Sequence, residues 1–437
     1  MKRMLRKYLE SWKISATRRP LIIKGARQVG KSWLVRDFGT DYNEFVEINF
    51  EYDREAHKIF KKDNDPLRII RDLRLLTEKD IQPGKTLLFL DEIQACPEVI
   101  TVLRYFYEKA PEFHVIAAGS LLNFTLESIG LPVGRVEVAY LYPLSFFEFL
   151  EASGHERLIK SLYAHNGNEP ILGALHEKLL KLTGEYMAVG GMPAAVELWI
   201  KTQSLKDCMK IHQMLIETYR QDFNKYAALH QQKYVDVVFE AVPRLTGRKF
   251  VYSSVSRDFR SRELRPAFDL IEKAGIVHPV MNTSGNGIPL GSEADPSYFK
   301  AVFFDVALMQ AVLGLEYGTW IFDSESAFVN RGAVCECFVG QEIAANGDPF
   351  KKSNLFYWAR DKRGSSAEID YLLELNGEVI PLEVKSGGNY HTKSMNLFLE
   401  EKSSSPYGIL CSTRNFGKYG TVRTIPIYAV GTIFGAR

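Results

Sequence analysis

Four short apolar runs mark the first third of the chain: Leu21–Ile23, Phe45–Asn49, Thr86–Leu90 and Val115–Ala118. Runs of this length with little alternation suit strands buried on both faces. Stretches with helical spacing, such as 31–38 and 99–109, lie between them. Strand and helix in alternation predict a doubly wound α/β sheet over residues 1–145. From about 145 to 226 the pattern turns helical and is punctuated by Gly190-Gly191-Met192-Pro193. Residues 234–314 then read as a helix, a basic turn, a second helix at 263–274, a strand at 276–281, a polar loop at 282–297 and a strand at 298–304. The last part opens with a helix at 328–345. Strands are predicted at 354–358, 368–375, 379–384 and 407–411, with a hairpin turn at Asn376-Gly377. No internal repeat or low-complexity tract interrupts the order.

Length and composition narrow the class. At about 100–200 residues per domain, 437 residues predict two to four domains. With 46% hydrophobic and 25% charged residues the chain is ordinary globular protein, and disorder does not dominate. A formal net charge of +2 gives no global argument for nucleic-acid binding and leaves only local basic patches. Cys96, Cys208, Cys335, Cys337 and Cys411 are odd in number and form no C-x-x-C pair, as expected of free thiols in a reducing compartment. Residues 1–13 are basic, lack a signal-peptide core and read as a short amphipathic helix. No apolar run is long enough to span a membrane. The expectation is a soluble cytoplasmic protein.

Gly25-Ala-Arg-Gln-Val-Gly30-Lys31-Ser32 matches G-x-x-x-x-G-K-[ST] in full, with an apolar run before it and a helix after. Glycines let the backbone curl so that successive N–H groups face one anion, and the helix adds its positive N-terminal end. Gly25, Arg27, Gln28, Val29, Gly30, Lys31, Ser32 and Trp33 are therefore expected to line ATP. Lys31 would reach the β- and γ-phosphates, and the Ser32 hydroxyl would hold Mg²⁺. The run Leu87–Leu90 carries Asp91 and Glu92 out at its C-terminal end, where ligands sit in open α/β sheets. Asp91 is expected to hold Mg²⁺ and Glu92 to orient or deprotonate the attacking water. Ser120, ending a further apolar run, is a candidate contact to the γ-phosphate or the water. Arg135 is a candidate to stabilise phosphoryl charge, in cis or from a neighbouring subunit, and Arg27 a weaker one. No Asn-Lys-x-Asp run stands in this domain to read guanine, which argues against a GTPase switch.

These residues, with Gly134-Arg135, Tyr142-Pro143-Leu144-Ser145-Phe146 and Gly190-Gly191-Met192-Pro193, resemble a family of prokaryotic AAA+-like ATPases that carry a C-terminal domain of unknown function, DUF4143. The resemblance covers nearly the whole chain. It implies a P-loop NTPase core of AAA+ type (1–145), a helical lid (146–230), a winged-helix module (231–320) and a restriction-endonuclease-like α/β domain (321–437).

The middle segment fits a winged helix on its own pattern. Arg262 and Arg265 lie on its second helix, Arg257 and Arg260 just before it, and Arg244, Arg248 and Lys249 on the preceding turn. Such a cluster suits phosphate, which makes DNA a candidate partner. Tyr252 and Phe259 interleave with it and are read as core. In the last segment, Asp370 on one strand and Glu383 and Lys385 on the next can converge across the hairpin, with Glu336 as a further ligand. Asp370 and Glu383 would bind a divalent cation, and Lys385 would position water or phosphate. This resembles the PD-(D/E)xK nuclease arrangement, with Ala367-Glu368-Ile369 where a proline stands in that pattern. Two functions follow: an Mg²⁺-dependent ATPase that couples nucleotide state to DNA binding or cleavage, or a nucleotide-gated protein-interaction module with an inactive nuclease-like domain. A second copy of the chain is a further candidate partner.

Overall fold

The computed structural model describes every residue except 121, 124, 125, 127–129, 316–330, 363, 364, 387–391, 436 and 437, and it omits the side chains of 224, 361, 362, 365 and 366. The chain forms two units, residues 2–142 with 348–352, and residues 143–347 with 353–436.

In the first unit the apolar runs become β1 (Leu21–Lys24), β2 (Glu44–Asn49), β3 (Thr86–Asp91) and β4 (His114–Gly119). A strand without an expectation, β5 (Glu137–Tyr140), joins them. The order is β2-β3-β4-β1-β5 and every pairing is parallel. β3 and β4 are buried at every position, as continuous apolar sequence requires. β5 buries only Ala139 fully, so this edge strand leaves a weak periodic signal. Helices α2 (Lys31–Gly39), α3 (Arg54–Lys62), α4 (Pro66–Thr77) and α5 (Glu98–Lys109) connect the strands. Ile22, Val46, Leu88, Ile100 and Phe106 share one core. The basic N-terminal segment is helix α1 (Leu5–Ile14), which buries Leu5, Leu9 and Trp12 along one face.

The second unit begins with five helices: Phe146–Ala152, Glu156–Ala164, Gly173–Val189, Pro193–Thr202 and Leu205–Tyr226. Its sequence signatures have structural causes. Ser145 and Glu148 form a reciprocal capping box at the first helix, whose Phe146 amide donates to buried Glu342 at 2.8 Å. A Cβ on Gly191 would strike the Leu144 carbonyl, so only glycine lets the two segments meet. The Gly191 amide donates to Asp305 at 2.7 Å, and Pro193 opens the next helix. The helices Gln232–Leu245, Tyr252–Val255 and Ser261–Lys273 then precede an antiparallel hairpin of β6 (Val277–Thr283) and β7 (Ala294–Phe303). That is the expected order of helix, turn, helix and hairpin.

β8 (Leu355–Lys362), β9 (Ser365–Leu375), β10 (Glu378–Val384) and β11 (Gly408–Ser412) lie where strands were predicted. Asn376 and Gly377, at φ 51° and 84°, make the tight β9–β10 turn. Two short strands without an expectation, β12 (Gly417–Tyr419) and β13 (Val422–Pro426), complete an eight-stranded sheet of order β12-β13-β11-β10-β9-β8-β6-β7. β6 pairs with β8, so the hairpin of segment 231–320 and the strands of segment 321–437 share one sheet. The expected division at 320/321 is not a break in that sheet. Its residues, and the predicted helix start at 328, lie outside the described ones; the helix observed is Gly332–Ala345. It is buried along nearly its whole length, Glu336, Gln341 and Glu342 included, and Tyr371 donates to its Glu336 carbonyl at 2.7 Å.

Gly340, on this helix, faces the Tyr371 hydroxyl so closely that a Cβ would sit 2.6 Å from it. Gly340→Val is expected to cost about 1–3 kcal/mol through overpacking, read as a lowered midpoint in thermal or denaturant unfolding.

Candidate functional site

Parallel pairing of β1, β4 and β3 brings their C-terminal ends to one edge of the first sheet. Gly25 follows β1, Asp91 ends β3, and Ser120 follows β4. Glycine is required at 25 because a Cβ would meet the Leu141 carbonyl oxygen. Gly30, at φ 97°, turns the loop into α2, and Gln28 holds a left-handed φ of 63° although it is not glycine. Val29 is buried and Gln28 exposed, so the loop contributes backbone to the site. Trp33, 42% exposed on the first turn of α2, covers no core.

Lys31 is buried, and its ammonium donates to the loop's own carbonyls, Gly25 at 3.0 Å and Ala26 at 2.9 Å. Burial lowers it to about 8, although Glu92 and Asp91 favour its charge; half-buried Arg27 opposes it. The Ser32 hydroxyl donates to Asp91 Oδ2 at 2.7 Å. Burial raises the Asp91 carboxyl to about 6, with the Ser32 hydrogen bond pulling the other way. The serine oxygen and the carboxylate form a hard-oxygen pair beside the phosphate loop. Mg²⁺ fits there, because such a site needs one or two protein oxygens and takes the rest from phosphate and water.

Glu92 sits at φ 52°, a left-handed conformation costly for a non-glycine residue and typical of functional strain. Its amide donates to Asp91 Oδ1 at 3.0 Å, and its Oε2 accepts from Gln94 Nε2 at 2.5 Å. Gln94 packs at Gly119, where a Cβ would displace it. Two residues missed in the sequence therefore shape the site. Gln94 holds Glu92, and buried Arg3 braces the loop by donating to the carbonyls of Val29 at 2.7 Å and Tyr142 at 2.6 Å. Only position in the fold reveals either, since no local motif contains them.

Arg135 does not join this site. It precedes β5, whose Glu137 amide bonds to Pro20 before β1, so it lies at the opposite end of the strands, about 10 Å or more away. There it pairs with Glu108 at 2.9 Å and lies over Tyr107. The expectation of a cis role falls for that reason.

In the second unit the expected carboxylates gather around a cation from outside the motif. Lys300 on β7 is fully buried, 3.0 Å from Glu336, 2.5 Å from Glu368 and 3.5 Å from Asp370. Burial disfavours its charge, but Glu336, Asp370 and Glu368 outweigh this and hold the ammonium above the usual lysine range. Asp370 Oδ2 accepts the Val384 amide at 2.8 Å. Glu383 pairs with Lys385 at 2.7 Å, and burial raises its carboxyl. Glu368 lines an open cavity of about 680 Å³ that Lys249, Tyr298, Tyr357 and Arg360 also line. Of the expected metal pair, Asp370 is thus engaged by Lys300 and the Val384 amide, and Glu383 by Lys385. Among the described residues no cluster of three or more His, Cys, Asp or Glu side chains is arranged to hold a metal.

The basic residues Arg244, Arg248, Lys249, Arg257, Arg260, Arg262 and Arg265 are all exposed. Tyr252 packs edge-on to Phe250 and Phe268, and Phe259 to Tyr234, and both are only partly buried. All five cysteines are buried free thiols. Among the described residues no helix is long and apolar enough to cross a membrane.

A parallel sheet with a complete phosphate loop after β1 and an Asp-Glu pair at the end of β3 defines a P-loop ATPase domain. Residues 17–150 match the model of an AAA domain, and residues 331–430 match the domain of unknown function DUF4143. Residues 180–318 match another domain of unknown function, DUF8612, which crosses the expected boundary at 230/231. No curated protein matches the chain. Solved structures that align include the Walker-type ATPase of Pyrococcus abyssi, at 14% identity and a TM-score of 0.44 over 70% of this chain and 94% of that one. The Orc1 protein of Aeropyrum pernix in complex with DNA aligns at 12% identity and a TM-score of 0.27, over 72% of this chain and 91% of that one.

Two predictions follow from the loop's electrostatics. A carboxyl raised to about 6 favours the empty fold below the ordinary carboxylate range, and that contribution is lost as pH rises through about 6. Asp91→Asn should therefore raise the nucleotide-free melting temperature at pH 7.5, by about 1 kcal/mol in stability, while abolishing the Mg²⁺-dependent part of ATP stabilisation. Arg3→Ala should weaken ATP binding by roughly 10-fold, measured by calorimetric titration, because two loop-bracing charge-assisted bonds disappear.

Proposed function

We propose that the chain is an Mg²⁺-dependent ATPase whose nucleotide state sets the engagement of DNA by its C-terminal half. The Ser32–Asp91 pair beside the buried Lys31 ammonium carries the first part of this reading. On binding ATP, Lys31 exchanges the Gly25 and Ala26 carbonyls for the β- and γ-phosphate oxygens. The loop amides and the N-terminus of α2 supply the remaining positive potential. Ser32 and Asp91 would hold Mg²⁺, and the ion would supply neutralising charge to the phosphates. Glu92, released from Gln94, accepts a proton from the attacking water or orients it, and Ser120 faces the γ-phosphate. Arg135 is left a role only in trans, against the phosphate of a second copy of the chain.

Exposed arginines at 257, 260, 262 and 265, on and just before the helix Ser261–Lys273, support DNA contact. This helix stands second of two long helices ahead of a hairpin, the order of a winged helix. Between DNA binding and DNA cleavage, the Lys300-centred cluster favours binding, because Asp370, one of the two expected metal ligands, already lies 3.5 Å from the Lys300 ammonium.

Fluorescence anisotropy of a duplex oligonucleotide, titrated at several salt concentrations with and without Mg²⁺-ATP, tests the coupling. The expected result is salt-dependent binding that differs between the two nucleotide states, with a shallower salt slope in Arg262→Ala/Arg265→Ala by about one unit per lost phosphate contact. Equal, arginine-independent binding in both states would remove the DNA part of the proposal and leave the nucleotide-gated protein-interaction module.

A further inference from the structure

We infer that the ammonium of Lys300 is the resident cation of the C-terminal carboxylate cluster, standing where a metal-dependent nuclease would hold its divalent ion. This goes beyond the ATPase reading and does not depend on it. Two elements supply the three carboxylates around Lys300: the helix Gly332–Ala345 gives Glu336, and β9 gives Glu368 and Asp370. An ammonium has three N–H donors, and three carboxylates accept them. The side chain is wholly buried, and its charge also lies 5.3 Å from the ring centre of Tyr357.

Two further carboxylate oxygens are engaged by other groups. Asp370 Oδ2 is taken by the Val384 amide. Glu383 Oε1 is taken by Lys385, and its buried Oε2 has no hydrogen-bond partner among the described residues. A divalent cation entering here would have to displace the Lys300 ammonium from Asp370 and the Lys385 ammonium from Glu383, because like charges cannot share the position. Removing Lys300, by contrast, would leave Glu336, Glu368 and Asp370 facing one cavity-side position with three uncompensated charges. The wild-type cluster thus carries no metal to activate water. It ties β7 to β9 and to the buried helix, and it presents Glu368 to the cavity.

Manganese binding to the full-length, nucleotide-free chain, followed by electron paramagnetic resonance of free Mn²⁺, tests this. Wild type and Asp370→Asn are expected to bind Mn²⁺ identically, whereas Lys300→Met gains a site that Asp370→Asn, added to it, removes. An Asp370- or Glu383-dependent Mn²⁺ site in the wild type would overturn the inference. Should Lys300→Met fail to fold, the melting temperature of Glu336→Gln in chelator decides by its sign. A cage closed by an ammonium loses stability when one carboxylate is removed, so the melting temperature falls. An open metal site emptied of its ion would be relieved of repulsion, and a rise would contradict the proposal.

Discussion

Burial of opposite charges at the C-terminal edge of a parallel sheet is the constraint on which the nucleotide site depends. Lys31 and Asp91 are both shifted toward their neutral forms by burial, and each relies on short local bonds, to loop carbonyls and to Ser32. Charges held this way are poorly solvated and await a better partner. A polyphosphate with its cation supplies both signs at once, so the same desolvation that weakens the empty site strengthens the filled one. The rest of the first unit serves this arrangement. Strand order sets Asp91 near the loop, glycine at 25 admits the Leu141 carbonyl, and Arg3 fixes the loop from outside.

Much of this was legible in the sequence because the phosphate loop is local. Its glycines, lysine and serine are contiguous, and the Asp-Glu pair ends an apolar run that could hardly be anything but a buried strand. Arg3 and Gln94 were illegible for the opposite reason: each acts through a fold contact that no spacing encodes. Arg135 shows how sequence proximity misleads. It follows Ser120 by fifteen positions, yet β5 begins after it and runs parallel to β1, which carries Arg135 to the far end of the sheet. β5, β12 and β13 escaped the periodicity because they are three to five residues long, two of them at sheet edges.

In the second unit, the pattern predicted the hairpin, its Asn376-Gly377 turn and the placing of Asp370 across from Glu383, but it could not foresee Lys300. That residue lies seventy positions before Asp370, on a strand the sequence assigns to a different module. Pairing of β6 with β8 makes the two modules one sheet and brings the lysine to the carboxylates. The same pairing joins segments that the resemblance divides at 320/321. A buried carboxylate cluster read along the chain suggests a metal; read in the fold, it has its counter-charge already.

Steady-state hydrolysis of ATP by the full chain with Mg²⁺, set beside equilibrium ATP binding, tests the central claim most directly. The account predicts that the wild type turns over, that Glu92→Gln still binds ATP but loses on the order of 100-fold or more in rate, and that Lys31→Ala loses binding itself. A wild type that binds ATP tightly and hydrolyses none, with Glu92→Gln indistinguishable from it, would contradict the account.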